Sequence, residues 1–187
     1  MKDLLITIIN NYLKIFPEEK DRQNELMNFL LENKDKEIID WNNFNGHIVA
    51  SGFIYAKKER KFLVLYHNDL KMFIYPGGHI NIDDVNPLIA AQREVKEETG
   101  IIDVEVLKIS NDELVPIDID THMINYNERL KLPKHYHFDF RYLFLIEKIS
   151  KINIDINESS NYKWINIEEL IKDLNCGKVI EKIIKIL

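Results

Sequence analysis

The 187-residue chain has a single cysteine, Cys176, which excludes an internal disulfide framework and fits a reducing compartment. It also lacks an excess of basic residues. Its 25 Lys and Arg stand against 31 Asp and Glu, for a formal net charge of −6. A general affinity for polyanions is therefore not expected, and no nucleic-acid partner is expected either. A phosphorylated small molecule would need local cations or a metal to hold it. Long hydrophobic runs are missing as well. The early stretch MKDLLITIINNYLKIF is too short and too interrupted to span a bilayer and has no small-residue cleavage site, so it reads as a helix. Repeats and low-complexity segments are absent. These absences point to a cytoplasmic protein with no membrane partner. What remains is ordinary for a globular chain: 45% hydrophobic and 30% charged residues, enough at this length for one domain with a sizeable core.

Residues 1–45 form a helical N-terminal extension by pattern, and residues 46–187 form the main domain. Leu4, Leu5, Ile8 and Ile9 recur at helical spacing, as do Leu26, Phe29 and Leu30. Pro17, followed by Glu18 and Glu19, suits the start of the second helix of an αα-hairpin. This extension either packs on the core or offers the surface of a homodimer. Near Gly46 the pattern changes. HIVASGFIYA and KFLVLYH, with KKER between them, read as paired strands, and KMFIYPGG reads as a short strand running into a turn. Asn86, Pro87 and Gly100 mark a helix as its cap, its first position and its left-handed end. Strands are expected at 102–110, 114–124, 136–147 and 161–166, with helices from about 167 and about 178. The class is α+β, a mixed and antiparallel sheet with helices packed against it.

The helix after the glycine turn carries Glu94, Glu97 and Glu98 at positions i, i+3 and i+4, which places all three on one face. Two readings stand side by side. Like charges at this spacing oppose the helix by roughly 0.2–0.5 kcal/mol per pair, yet solvated helix faces often carry such clusters. Alternatively, carboxylates converging with a Gly carbonyl supply the hard oxygen donors that Mg²⁺ or Mn²⁺ requires. The preceding Pro76-Gly77-Gly78 turn, which brings bare backbone close to the helix, favours the second.

The segment GGHINIDDVNPLIAAQREVKEETGI resembles the Nudix box, G-x5-E-x7-R-E-U-x-E-E-x-G-U, in which U is aliphatic. Arg93, Glu94, Val95, Glu97, Glu98, Gly100 and Ile101 match throughout. The early acidic position falls on Asp84, an Asp in place of Glu, and eight residues (85 to 92) precede Arg93, one more than the pattern. An insertion just before a helix start is cheap. The resemblance runs from about Gly46 to Leu170 and includes SSNYKWINIEEL, which is similar to the strand and helix that close this fold. It implies a Nudix fold and a metal-dependent hydrolase that cleaves the diphosphate linkage of a nucleoside diphosphate derivative by water attack on phosphorus. By the same resemblance Glu94, Glu97 and Glu98 are catalytic and bind Mg²⁺ or Mn²⁺, the Gly78 carbonyl is a further ligand, and Arg93 orients the glutamates. Asp83 and Asp84 also have a plain reading as acids that complement the helix dipole.

A second polar strip lies downstream. In KHYHFDFRYLF, alternation sets His135, His137, Asp139 and Arg141 on one face, and in DIDIDTHMI it sets Asp118, Asp120 and His122 on one face. A hairpin across NYNERLKLPK would lay the two strips side by side. They form either the wet face of a half-buried sheet or part of the site. In the second case His122, His135, His137, Asp139 and Arg141 join His79 and Asp84 as candidate substrate contacts, with a zinc site as the sharper version. Arg129, Lys131 and Lys134 are either loop cations or anion contacts. Trp164 is either core or a stacking platform. The competing function is a non-catalytic nucleotide-binding module or sensor of the same fold. An isomerase of isopentenyl diphosphate, on a related fold, would need an active-site cysteine near the box, and Cys176 is not near it. Pro116, 15 residues past Ile101, is similar in place to a proline of ADP-ribose-type members. The substrate is not legible beyond this.

Overall fold

The computed structural model describes residues 1–126, 131–172 and 177–187, with the side chains of 177 and 178 outside the description. Arg129 and Cys176 therefore lie outside the described residues. Helix α1 (Lys2–Ile15) buries Leu5, Ile8, Ile9 and Tyr12 along one stripe, as its spacing predicts. The second helix does not open at Pro17. Two single 3₁₀ turns, Pro17–Glu19 and Asp21–Gln23, come first, and α2 runs only over Asn24–Glu32. The turns let Gln23 reach inward, where its side-chain amide donates to the Ile119 carbonyl. Residues 33–45 are irregular rather than helical.

Among the described residues, eight strands form one mixed sheet. Strand β1 (His47–Ala56) lies at its centre, parallel to β7 (His135–Ile146) from His47↔His137 to Ala56↔Ile146. The other edge of β1 is shared by β2 (Lys61–His67) and β4 (Gly77–His79), both antiparallel. Beyond β2 lies β8 (Ser159–Asn166), while β3 (Met72–Ile74) takes the remainder of the β2 edge that β1 uses. The far edge of β7 is divided between β6 (Asp118–Ile124) and β5 (Glu105–Val106). That division shortens the strands expected at 102–110 and 114–124. Because β6 occupies β7 up to Arg141, β5 has only the last residues of that edge. Pro116, lacking an N–H, cannot join a ladder, so the pairing of β6 begins at Asp118.

The sheet separates two cores. Even-numbered residues of β1 and β7, among them Ile48, Ala50, Ile54, Phe138, Phe140 and Phe144, pack with α1, α2 and the helix α3 (Pro87–Thr99). Phe29 of α2 stacks on Phe138 with ring centroids 4.7 Å apart, so residues 1–45 contribute to the main core. Odd-numbered Phe53, Tyr55 and Leu143 pack on the other face with α4 (Ile167–Ile171) and α5 (Gly177–Ile186). Trp164 packs against the first core, in keeping with its reading as a core residue. In the N-terminal halves of β1 and β7, most odd positions turn polar, His47 and Ser51 on either side of Val49, then His135, His137, Asp139 and Arg141. That change of character opens the sheet into a cavity.

Candidate active site

Helix α3 begins and ends as its residues dictate. The Asn86 side chain accepts from Ile89 N–H, Pro87 occupies the first turn, and Gly100 closes the helix at φ 73°. Val95 faces β1 over Gly52, where no side chain could fit: an added Cβ would meet Val95 Cγ2 at 2.6 Å and Phe144 Cδ2 at 2.7 Å. This close approach seats the next residues of the helix against β4. There the Gly77 N–H donates to Glu98 Oε1 at 2.7 Å. A Cβ on Gly78 would lie 2.6 Å from Glu94 Oε1, so the glycine gives the carboxylate its place.

Glu94 and Glu98 are buried. Burial pushes the Glu98 carboxyl up to about 8, against the Gly77 N–H that pulls it down, and nearby Glu158 and Glu94 raise it further. Glu94 is pushed up to about 7, again chiefly by burial, with Arg93 opposing and Glu97 and Glu158 adding to the rise. Arg93 is the hub of this half of the site. It donates to Glu94 Oε1 at 2.8 Å, Glu97 Oε2 at 3.0 Å, the His79 carbonyl at 2.8 Å and Asp84 Oδ2 at 2.8 Å. Asp84 is buried under this arginine and also accepts from the Asn81 N–H. The shortened acid in the lengthened loop therefore still reaches the helix, where it anchors Arg93 and stays out of the cavity lining.

The second strip forms as the alternation predicts, and β6 pairs with β7 in the register Asp118↔Arg141, Asp120↔Asp139 and His122↔His137. Arg141 is wrapped in carboxylates, donating to Asp139 Oδ2 at 2.8 Å, Asp118 Oδ2 at 3.2 Å and Asp120 Oδ2 at 2.7 Å. Ser51 donates to the other Asp139 oxygen at 2.7 Å. Burial alone would raise the Asp120 pKa, but His122, Arg141 and Arg22 hold it well below the carboxylate range. The positive charge of Arg141 is thus already matched within the protein.

Five histidines gather beside this strip. The His137 ring lies 4.6 Å from His47, 5.1 Å from His135, 5.6 Å from His122 and 5.7 Å from His79, between centroids. Burial first, then His79 and His135, lowers the His47 pKa to about 3, against a smaller upward pull from the Asn43 backbone. His137 is driven down in the same way by burial and by the surrounding rings.

A cavity of about 990 Å³ joins the two halves. Gly78, His79, Arg93, Glu94 and Glu97 line one side, and Asp120, His122, His137, Asp139 and Arg141 line the other. Glu98, held by Gly77, and His135, beyond His137, do not reach the lining. Exposed Lys131 and Lys134 do not line it either. Sequence reasoning missed His47, Ser51 and Glu158. His47 and Ser51 share the odd parity of β1, but that matters only once β1 is known to lie beside β7. Glu158 stands in a loop before β8, with no local signal.

The profile of the NUDIX domain matches residues 46–184, most of the chain. The chain belongs to the NUDIX family. This NUDIX chain is 32% identical to the "Probable DHNTP pyrophosphohydrolase" of Lactococcus lactis subsp. cremoris, over 64% of its own length and 66% of that protein. It is 34% identical to the "RNA pyrophosphohydrolase" of Bartonella bacilliformis, over 54% of its length and 61% of that protein. It thus spans just under two thirds of the length of these two relatives. Among solved structures, the C. elegans Ap4A hydrolase in a binary complex matches 74% of this NUDIX chain and 95% of its own, at 20% identity and TM-score 0.56. The E. coli dihydroneopterin triphosphate pyrophosphohydrolase matches 72% and 92%, at 18% identity and TM-score 0.55. At those identities the likeness is one of fold.

Proposed function

We propose that the chain is a metal-dependent pyrophosphohydrolase that cleaves a diphosphate linkage in a nucleotide-type substrate. The observation that carries this reading is the pair Glu94 and Glu98, buried and held against the Gly77–Gly78 backbone at the edge of a cavity large enough for a nucleotide. Two buried carboxylates with raised pKa values, beside a glycine that leaves no room for a side chain, suit a hard divalent cation and are costly without one. Glu94, Glu97 and Glu98, with the Gly78 carbonyl, would hold Mg²⁺ or Mn²⁺. When bound, such an ion neutralises a diphosphate, polarises a phosphoryl oxygen and makes water more acidic.

The protein's own groups perform the rest. Arg93 fixes the rotamers of Glu94 and Glu97 by charge-assisted hydrogen bonds, and Asp84 fixes Arg93. His79, His122 and His137 form the wall that meets the substrate, while Asp139 and Arg141 hold that wall rigid through their mutual ion pairs. In the reaction a water oxygen bonds to phosphorus and releases a proton to solvent, while the bridging P–O bond breaks and its electron pair leaves with the departing phosphate. Names of the relatives support a nucleotide-type substrate, and the net charge favours a small molecule.

Glu98→Gln tests this. Loss of at least about a hundredfold in Mg²⁺-dependent turnover is expected, with the fold retained. The assay panel is dihydroneopterin triphosphate, Ap4A, ADP-ribose, nucleoside triphosphates and a 5′-triphosphorylated RNA, read by phosphate and nucleotide release. Full turnover by the variant would remove Glu98 from the metal site, and no metal-dependent turnover of any of these by the wild type would leave the binding-module reading standing instead.

A further inference from the structure

The hydrolysis proposed above asks the histidines only to form a wall, yet their arrangement suits a more specific task. His47, His79 and His137 each bring one ring nitrogen within 4.8 Å of the other two. His47 is fully buried, and among the described residues neither of its ring nitrogens makes a full hydrogen bond. An imidazole left in that state loses the bonds it had in water and gains none, which costs stability unless a partner of another kind takes a lone pair.

The neighbouring rings are oriented in the same sense. His135 Nδ1 lies 2.6 Å from the Pro133 carbonyl oxygen, which can only accept, so Nδ1 carries the hydrogen and Nε2 presents a lone pair. That Nε2 accepts from Nε2–H of His137 at 3.2 Å, a hydrogen that a bound cation would displace. A carbonyl or carboxylate on one ring nitrogen is how metal-binding histidines are usually held with the other nitrogen free. His122 shows the same pattern, its Nδ1 lying 3.0 Å from Asp120 Oδ2. A tetrahedral zinc with bonds of about 2.0–2.1 Å keeps its donors roughly 3.3 Å apart. The His135–His137 spacing already meets that requirement, and modest ring rotations would bring His47 and His79 to it.

We propose that His47, His79 and His137, with His135 as the adjoining fourth donor, form a binding site for a borderline first-row divalent cation of the Zn²⁺ type, separate from the carboxylate site on α3. Imidazole nitrogen favours such ions, whereas Mg²⁺ takes oxygen donors. The two sites therefore sort metals by donor chemistry although both border one cavity.

The test uses the full-length protein stripped with a chelator, then titrated with Zn²⁺ by calorimetry and with Co²⁺ by visible absorption. Both titrations are run in excess Mg²⁺, which occupies the glutamates. One Zn²⁺ per chain, together with the intense bands of four-coordinate Co²⁺, is expected. His79→Ala and His137→Asn should each weaken Zn²⁺ binding at least about tenfold, while Glu98→Gln leaves it in place. His79 is exposed, so its variant keeps the fold, which a thermal melt checks. The proposal is overturned if no Zn²⁺ binds in excess Mg²⁺, if both histidine variants bind as the wild type does, or if Glu98→Gln removes the Zn²⁺ instead. Because the readout is Zn²⁺ affinity and not turnover, the result stands apart from that of the hydrolase assay.

Discussion

A carboxylate buried beside Gly77 and Gly78 holds its proton longer than one in water, and this gives the site a pH signature. In the metal-free fold Glu98 is pushed up to about 8 and Glu94 up to about 7, from an ordinary value near 4.5. Folding therefore strengthens proton binding at both groups. The stability this contributes is complete below the unfolded value and is lost as pH rises through about 7 and about 8. A divalent cation binds the deprotonated form and reverses the loss. Thermal melts at about pH 6 and about pH 8.5 should accordingly show Mg²⁺ raising the midpoint more at the higher pH. An equal or larger Mg²⁺ effect at the lower pH would contradict the assignment. Gly78 is tested at the same scale. Gly78→Ala puts a methyl where Glu94 Oε1 now lies, at 2.6 Å, without forcing a left-handed backbone. Turnover should fall by at least about tenfold while the melting transition moves little, because the displaced atom is the end of a flexible side chain. The residues REVKEETG were legible because the helix carries its own spacing. His47 was not, since its meaning comes from a neighbour almost a hundred positions away.

Elements were legible where their signals are local. The cap, the proline and the left-handed glycine set both ends of α3, and alternation placed His122, His137, Asp139 and Arg141 on facing strips. Element lengths were less legible, because they depend on competition for edges. β5 keeps two residues only since β6 already holds the rest of that side of β7. The parallel pairing of β1 with β7 has no local signature at all, yet it builds the histidine wall and carries the helix. At their crossing Gly52 lets Val95 and Phe144 meet over bare backbone. Gly52→Ala should therefore lift α3 from the sheet, lowering stability by about 1–3 kcal/mol in denaturant melts and reducing turnover together with it. If stability fell while turnover held, the glutamates would not depend on that seat.

The whole molecule ties its two ends to the cavity through one buried ion network. Arg22, in the turn before α2, pairs with Asp118 and Asp120, the same carboxylates that hold Arg141. Lys182 of α5 reaches Asp118 Oδ1 at 2.6 Å and the Tyr12 hydroxyl of α1 at 2.6 Å. Helical spacing marked residues 1–45 as an extension that either packs on the core or offers a dimer surface. Leu5, Ile8, Ile9, Tyr12, Leu26 and Leu30 are fully or almost fully buried within the core that includes Phe138 and Phe140. A chain of residues 46–187 would expose that face and leave Asp118 with two of its cations in place of three. Each large apolar side chain taken out of the core forfeits roughly 1.5–3 kcal/mol, so losing these together exceeds a large share of a typical domain's stability. The shortened chain should therefore be insoluble or lack a cooperative thermal transition. A soluble 46–187 protein that melted as sharply and as high as the full chain would show instead that α1 and α2 only rest on the domain.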